Sequence, residues 1–177
     1  GNNAHTVNAG EIADNATGFP GNTFVRPDNV TPLAEILRLN GYNTAAYGKS
    51  HETPGWEIIP TGPFDRWPTG KGFDHWLGFM GGAVDQYKTP LVEDNQHVKP
   101  DGRHLTTQMT DKAISYIDRQ LKLAPDNARY AYVHAIAVDS AGKREQALAM
   151  LRSARVFSWS VFETSTAFAR YFRASPY

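Results

Sequence analysis

The chain has 177 residues, with 18 Lys and Arg balancing 18 Asp and Glu and no cysteine. That length suffices for one domain with a real core, or for one domain plus an appendage. Zero net charge argues against a nucleic-acid or membrane-surface footprint, which needs a basic excess, and the lack of cysteine excludes disulfides, thiolate metal sites and thiol nucleophiles.

A hydrophobic content of 41% with 12% aromatics fits a folded chain rather than a disordered one. No run approaches the ~18 apolar residues of a membrane-spanning helix. No signal-peptide pattern is visible, and the chain opens on Gly1 rather than Met. It is expected to be a processed form or a piece of something larger, and its compartment is left open.

Residues 1–29 are polar and rich in Asn, Gly and Thr, and read as loop with at most one helical turn. His5 is read there as an exposed loop histidine. Asp28-Asn-Val-Thr31 then opens a helix, with Thr31 as N-cap, Pro32 at the first helical position and Glu35 near the positive end. Leu33, Ile36, Leu37 and Leu39 form its apolar stripe, and Asn40-Gly41 ends it. A strand comes almost at once, from Tyr42 to Tyr47. Helix, tight turn and strand are half of a βαβ unit, so the expected fold class is α/β.

Lys49 and His51 project from the carboxyl end of that strand, the edge where open α/β sheets bind ligands. Two residues apart in extended chain they point the same way. An ammonium and an imidazole so placed can hold an oxyanion and move a proton. An ordinary surface pair is the alternative.

Residues 52–100 carry Pro54, Pro60, Pro63, Pro68 and Pro90, many glycines, and Trp56, Trp67 and Trp76. They read as a long irregular segment packed by its rings. Asp65, Arg66, Asp74 and His75 can be imagined as an acid/base set, but an Asp–Arg ion pair and a solvated histidine are the reading taken. A second helix is expected from Asp111 to about Lys122, capped by Thr106 or Thr107, with Ala113, Ile114, Ile117 and Leu121 on one face.

After Leu123-Ala-Pro-Asp-Asn127 the chain reads as helix (128–139), a break at Ser140-Ala-Gly142, and helix (143–154). Ala113 and Ala147, like Ile117 and Leu151, are about 34 residues apart, the period of tetratricopeptide repeats. Small residues at Ala135, Ala147 and Ala154 let two helices approach closely. Residues 125–154 therefore resemble one such repeat, with a plain helical hairpin as the alternative. The remainder, 155–177, is aromatic and basic, with Phe157, Trp159, Phe162, Phe168, Tyr171 and Phe172. Ala169 and Phe172 can belong to one further helix, with a frame-shifted or unselected tail as the equal alternative.

Asn40-Gly-Tyr-Asn-Thr-Ala-Ala-Tyr-Gly-Lys-Ser-His51, continued by Glu52-Thr-Pro-Gly-Trp-Glu57, resembles the Gly-Lys-Trp-His block of the sulfatases. Gly62-Pro-Phe-Asp-Arg-Trp-Pro-Thr-Gly-Lys-Gly-Phe-Asp-His-Trp-Leu-Gly-Phe79 is similar to the stretch just downstream of that block in bacterial arylsulfatases. His5-Thr-Val-Asn-Ala-Gly10 and the run from His104 through Asp111-Lys-Ala-Ile114 to Ile117 also resemble segments of those enzymes. The likeness covers about residues 1–126. It implies a partial sulfatase domain of alkaline-phosphatase-like α/β fold there, and a helical hairpin with tail over 127–177, joined near Ala124-Pro-Asp126. The sheet strands flanking 42–47 are expected to be missing.

The resemblance also implies roles. The lysine matching Lys49 contacts the formylglycine nucleophile and the sulfate oxygens. The histidine matching His51 takes the proton whose loss expels the covalent sulfate. The family uses calcium, but its ligands are absent from this chain, as is any Cys or Ser in the Cys/Ser-x-Pro-x-Arg context. Ser50 replaces the usual tryptophan. The expectation is a sulfatase fragment that is inactive alone and binds at most a sulfate ester or other small oxyanion. The alternatives are a protein-interaction module acting through the helical hairpin and, third, an unfolded or partly folded open reading frame with no function.

Overall fold

The structure, a computed structural model, describes residues 1–124 and 127–153. Expectations for Pro125, Asp126, Ala154 and the tail at 155–177 lie outside the described residues. The described elements are α1 (Leu33–Leu39), β1 (Ala45–Ser50), β2 (His75–Met80), β3 (Leu91–Glu93), β4 (Gln96–Val98), α2 (Leu105–Leu123), α3 (Ala128–Ser140) and α4 (Arg144–Ser153). They bear out an α/β chain.

The four strands form one sheet in the order β1-β2-β3-β4. β1 and β2 run parallel, with Ala45 opposite His75 and Ser50 opposite Met80, while β3 and β4 add antiparallel. The expected irregular segment at 52–100 thus supplies three strands. Its apolar run His75-Trp-Leu-Gly-Phe-Met80 is buried through its middle on both faces, so it lacks the alternation that marks a half-exposed strand. β3 and β4 are three residues each, too short for a period to show. Strand β1 therefore has a partner on one side, where flanking strands were expected to be missing. Among the described residues its other edge carries no strand.

The two sheet faces bury different side chains, as period-two geometry demands. Trp67, Trp76 and Val92 pack together with Ala46, Phe64 and Met80. Phe79, Leu91 and Leu105 pack with Val84, Val98 and Met109. Trp67 is fully buried, and its indole N–H donates to Glu57 O at 2.7 Å. The rings do pack this segment, as the sequence suggested, but they pack it onto a sheet. Gly78 is required here: a Cβ on it would run into the Gly48 carbonyl oxygen of the neighbouring strand.

β1 lies three residues later than the expected strand. Tyr42 is spent on ending α1, its N–H reaching Leu37 O at 3.1 Å past the left-handed Gly41 (φ +81°). Thr44 is held by the loop before β2: its N–H donates to Asp74 Oδ2 at 3.0 Å, and its hydroxyl lies 2.6 Å from Gly72 O. Only beyond Thr44 does the ladder begin.

Helix α1 also differs. Pro32, not Thr31, occupies the N-cap position, and no side chain caps it. The apolar stripe is exposed, with Leu33 at 70%, Ile36 at 47% and Leu39 at 72%; the helix docks by Ala34 instead. Gly72 permits this approach, since a Cβ there would meet the Glu35 backbone nitrogen.

Helix α2 starts at Leu105, six residues before the expected Asp111. His104, rather than Thr106 or Thr107, caps it, its Nδ1 accepting Thr106 N–H at 3.2 Å. Gln108 secures the first turn, donating to Arg103 O at 2.6 Å and accepting Asp101 N–H at 3.1 Å. The chain divides into two compact units, residues 1–110 and residues from Asp111 onward. That boundary falls inside α2.

In the second unit α3 and α4 form the expected hairpin, closed by Gly142 at φ +79°. Ala135, Val138, Ala147 and Leu151 are buried together, with Ile114, Tyr132 and Met150 against them. The small residues at 135 and 147 are what let these backbones come close.

Candidate active-site cleft

The first unit holds a cleft of about 390 Å³ lined by Lys49, Ser50 and His51 of the β1 end, with Arg26, Glu52, Arg66 and Lys71 around them. Pro32, Leu33 and Ala34 form one wall, and Ala46, Phe73 and Trp76 supply apolar surface. The structure therefore brings the two expected residues, Lys49 and His51, onto one cleft at the carboxyl edge of a parallel strand. Lys49 lies within β1 rather than beyond it, and His51 is the first residue after it.

His51 is held between two neighbours. The Phe24 ring meets it edge-on with centroids 6.3 Å apart. On another side Gly82 comes so close that a Cβ would stand 3.1 Å from its Cε1. Phe24 is positioned by Asn8, whose backbone oxygen accepts Phe24 N–H at 2.8 Å and whose side chain bonds Val25 O and Gly21 N–H. The polar amino-terminal loop is thus fastened by one asparagine in left-handed conformation (φ +61°) and carries Phe24 and Arg26 to the cleft.

The residues considered as an acid/base set do other work. Arg66 pairs with the buried Glu57 at 2.6 Å, not with Asp65. Asp74 holds Thr44. His75 is not solvated: its Nδ1 lies 2.9 Å from Asp94 Oδ1, with the Tyr47 ring edge-on at 5.6 Å. Glu57, Asp94 and Thr44 were not foreseen as partners because each lies 9 to 30 residues away from the group it satisfies. His5 is exposed, as expected.

The sequence reading also missed Arg26 and Lys71 as cleft residues. No spacing announces them; they arrive from a loop and from the turn before β2. Four basic side chains line the cleft, Arg26, Lys49, Arg66 and Lys71, against one lining carboxylate, Glu52, which approaches Arg26 at 3.5 Å. The Lys71 pKa is pushed below the ordinary lysine value, first by burial, then by Arg26 and Arg66, with Asp28 and Asp65 opposing. Such a surface favours an oxyanion and disfavours a divalent cation. Among the described residues no three Asp, Glu or His side chains come together as a metal site. The residues present therefore do not fit calcium in this cleft.

A mixed sheet thus presents a lysine and a histidine to a cleft lined mainly by basic side chains, at the carboxyl edge where α/β sheets commonly bind ligands. The family model for sulfatases matches residues 3–143, and the chain belongs to the sulfatase family. It is 31% identical over 108 residues to an uncharacterized sulfatase, YdeN, of Escherichia coli K12, a match covering 52% of this chain and 19% of that protein. It is 32% identical over 107 residues to an ulvan-active sulfatase of Formosa agariphila, covering 60% of this chain and 20% of that one. The chain thus spans about a fifth of the length of these curated relatives. Among solved structures, the crystal structure of Ps i-CgsB is similar over 55% of this chain and 24% of its own, with 24% identity and a TM-score of 0.46. No membrane-length apolar helix occurs among the described residues.

Proposed function

We propose that this chain carries one oxyanion-handling wall of a sulfate-ester hydrolase of the arylsulfatase type, and that on its own it binds oxyanions without turning esters over. The observation that carries this is the convergence of Lys49 and His51 on one cationic cleft at the end of β1. Lys49, an exposed residue of the cleft lining, neutralises a sulfate oxygen in this reading. His51, seated between Phe24 and Gly82, accepts or returns a proton in this reading. The chain has no cysteine and no serine in the context from which the family makes its nucleophile, so binding outlasts catalysis.

Calorimetric titration of the full 177-residue chain with sodium sulfate tests this. Binding should weaken by about tenfold or more in the Lys49→Ala, His51→Ala double variant, the loss of charge-assisted contacts. Equal affinity in the double variant would refute the role of the pair. Turnover of 4-nitrophenyl sulfate by the chain alone would refute the division between binding and chemistry.

A second reading concerns residues 125–154. The buried Ala135 and Ala147 at the α3–α4 contact favour a tetratricopeptide-like hairpin able to take a peptide partner. One repeat buries little of its own face, and about three are usually needed for a stable platform, so this reading stands second.

A further inference from the structure

The cleft holds more positive charge than one sulfate group requires. The Nε–H groups of Arg26 and Arg66 are both buried and have no hydrogen-bond partner. Each arginine is already engaged at its other end, Arg26 Nη1 toward Glu52 at 3.5 Å and Arg66 Nη1 on Glu57 at 2.6 Å. Those engagements fix the guanidinium planes and leave the Nε sides unsatisfied. A buried donor without a partner is costly, and a charged one more so. Lys71 lies close enough to both arginines for their charges to depress its pKa, and burial adds to the effect. Its acidic neighbours, Asp28 and Asp65, act on it more weakly than burial and the arginines do. All three cations line the same cleft as Lys49 and His51. Like charges gathered in a part-buried site, with orphaned donors among them, are stable when an anion sits between them.

We propose that Arg26, Arg66 and Lys71 form a second anion subsite, which takes a further sulfate or carboxylate group of the ligand whose first sulfate is held at Lys49 and His51. The preferred ligands are then molecules with two anionic groups, not simple monosulfate esters. This rests on the reading of Lys49 and His51 as the first oxyanion site, but it can be tested apart from it. The Arg26 and Arg66 guanidinium groups and the Lys71 ammonium, all on the cleft lining, supply the charge that holds the second group. Glu52, the one lining carboxylate, is mostly solvent-exposed and so offsets the cations weakly.

The test compares benzenesulfonate, benzene-1,3-disulfonate and 3-sulfobenzoate, titrated into the full chain by calorimetry. The disulfonate should bind about tenfold tighter than the monosulfonate, one charge-assisted contact set, and lose that advantage as salt is raised. Lys71→Met and Arg26→Gln should each lower disulfonate affinity about fivefold more than they lower benzenesulfonate affinity. Arg66 is left alone, because its loss strands the buried Glu57. Sulfobenzoate matching the disulfonate supports a subsite open to carboxylates, and sulfobenzoate matching the monosulfonate supports one selective for sulfate. Equal affinity for mono- and disulfonate, or an advantage unchanged in both variants, overturns the subsite. The two readings fail differently. A Lys49→Ala, His51→Ala protein that still binds inorganic sulfate, and loses it on adding Lys71→Met, sinks the first site and keeps the second.

Discussion

Gly78→Ala gives the sharpest probe of how the sheet presents the site. Gly78 pairs with Gly48 across the parallel β1–β2 ladder. A methyl group at 78 would overlap the Gly48 carbonyl oxygen, stand 2.8 Å from Trp76 Nε1 and stand 2.9 Å from the Gly48 carbonyl carbon. None of these can rotate away: two are backbone, and the third belongs to an indole that is only 1% exposed. Relief requires the strands to separate, so the cost belongs at the upper end of overpacking, about 3 kcal/mol. For a unit of this size that is a fall in Tm of roughly 10–20 °C. Because Gly48 directly precedes Lys49, the same displacement should weaken sulfate binding before the protein melts. Thermal denaturation by far-UV circular dichroism and sulfate titration at 15 °C read the two effects separately. Gly55→Ala is the control, since nothing lies within 4 Å of a Cβ there. If Gly78→Ala melts within about 2 °C of the parent, the close backbone approach at β1–β2 is wrong, and with it the placement of Lys49.

Thr44→Val keeps the shape of the side chain but removes the hydroxyl that binds Gly72 O at 2.6 Å and faces Asp74. It should cost about 1–3 kcal/mol in urea unfolding, and no change would mean the 72–74 loop does not anchor the start of β1. Ala147→Leu should destabilise the α3–α4 hairpin by about 1–3 kcal/mol, seen as early loss of helical ellipticity, because Ala147 is 3% exposed against Ala135. His134 gives a pH signature. Its buried ring is held below the ordinary value of 6.5, chiefly by desolvation and further by Lys122, against the opposing pull of Asp118. The unfolded chain then binds the proton more readily, so stability is full above about pH 6.5 and declines as the pH falls below it. His134→Leu should flatten that slope in the helical signal, and an unchanged slope would assign it to another group.

The hairpin at 128–153 was legible because its information is local: alternating small and large apolar residues, and a glycine where the chain must turn left-handed. The pairing of a lysine with a histidine was legible for the same reason, since both belong to one extended stretch. The strands at 75–98 were not. His75–Met80 is covered on both faces, so its sequence is a plain apolar run, and its glycine reads as a breaker until Gly48 is seen against it. Boundaries failed where long-range bonds decide them. Thr44 leaves the strand for Asp74, 30 residues away, and Gln108 draws the start of α2 back to Leu105 by bonding Arg103 and Asp101. The exposed Leu33, Ile36 and Leu39 are the reverse case, an apolar stripe that the helical period offers for packing and that the described residues leave largely exposed.

The charge of the cleft obeys the same logic and explains why composition misled. Acidic and basic residues cancel over the whole chain. An anion in a cleft does not feel that sum. Screening confines charge interactions to about 8–10 Å at ordinary salt, so only the lining matters. There the balance is four cations to one carboxylate, assembled from loop residue 26, strand residue 49 and the segment at 66–71. Beyond the lining, Glu57 is engaged by one Arg66 nitrogen and leaves Nε without a partner, while Asp28 and Asp65 only partly offset the charges around Lys71. A neutral protein can therefore hold a strongly cationic pocket, and affinity for mono- and disulfonates should fall steeply with salt even though net charge predicts no such dependence. If binding proved insensitive between about 20 mM and about 500 mM sodium chloride, where the screening length shrinks from roughly 20 Å to about 4 Å, the cations would not be acting together, and the cleft would be an apolar hollow with charged edges.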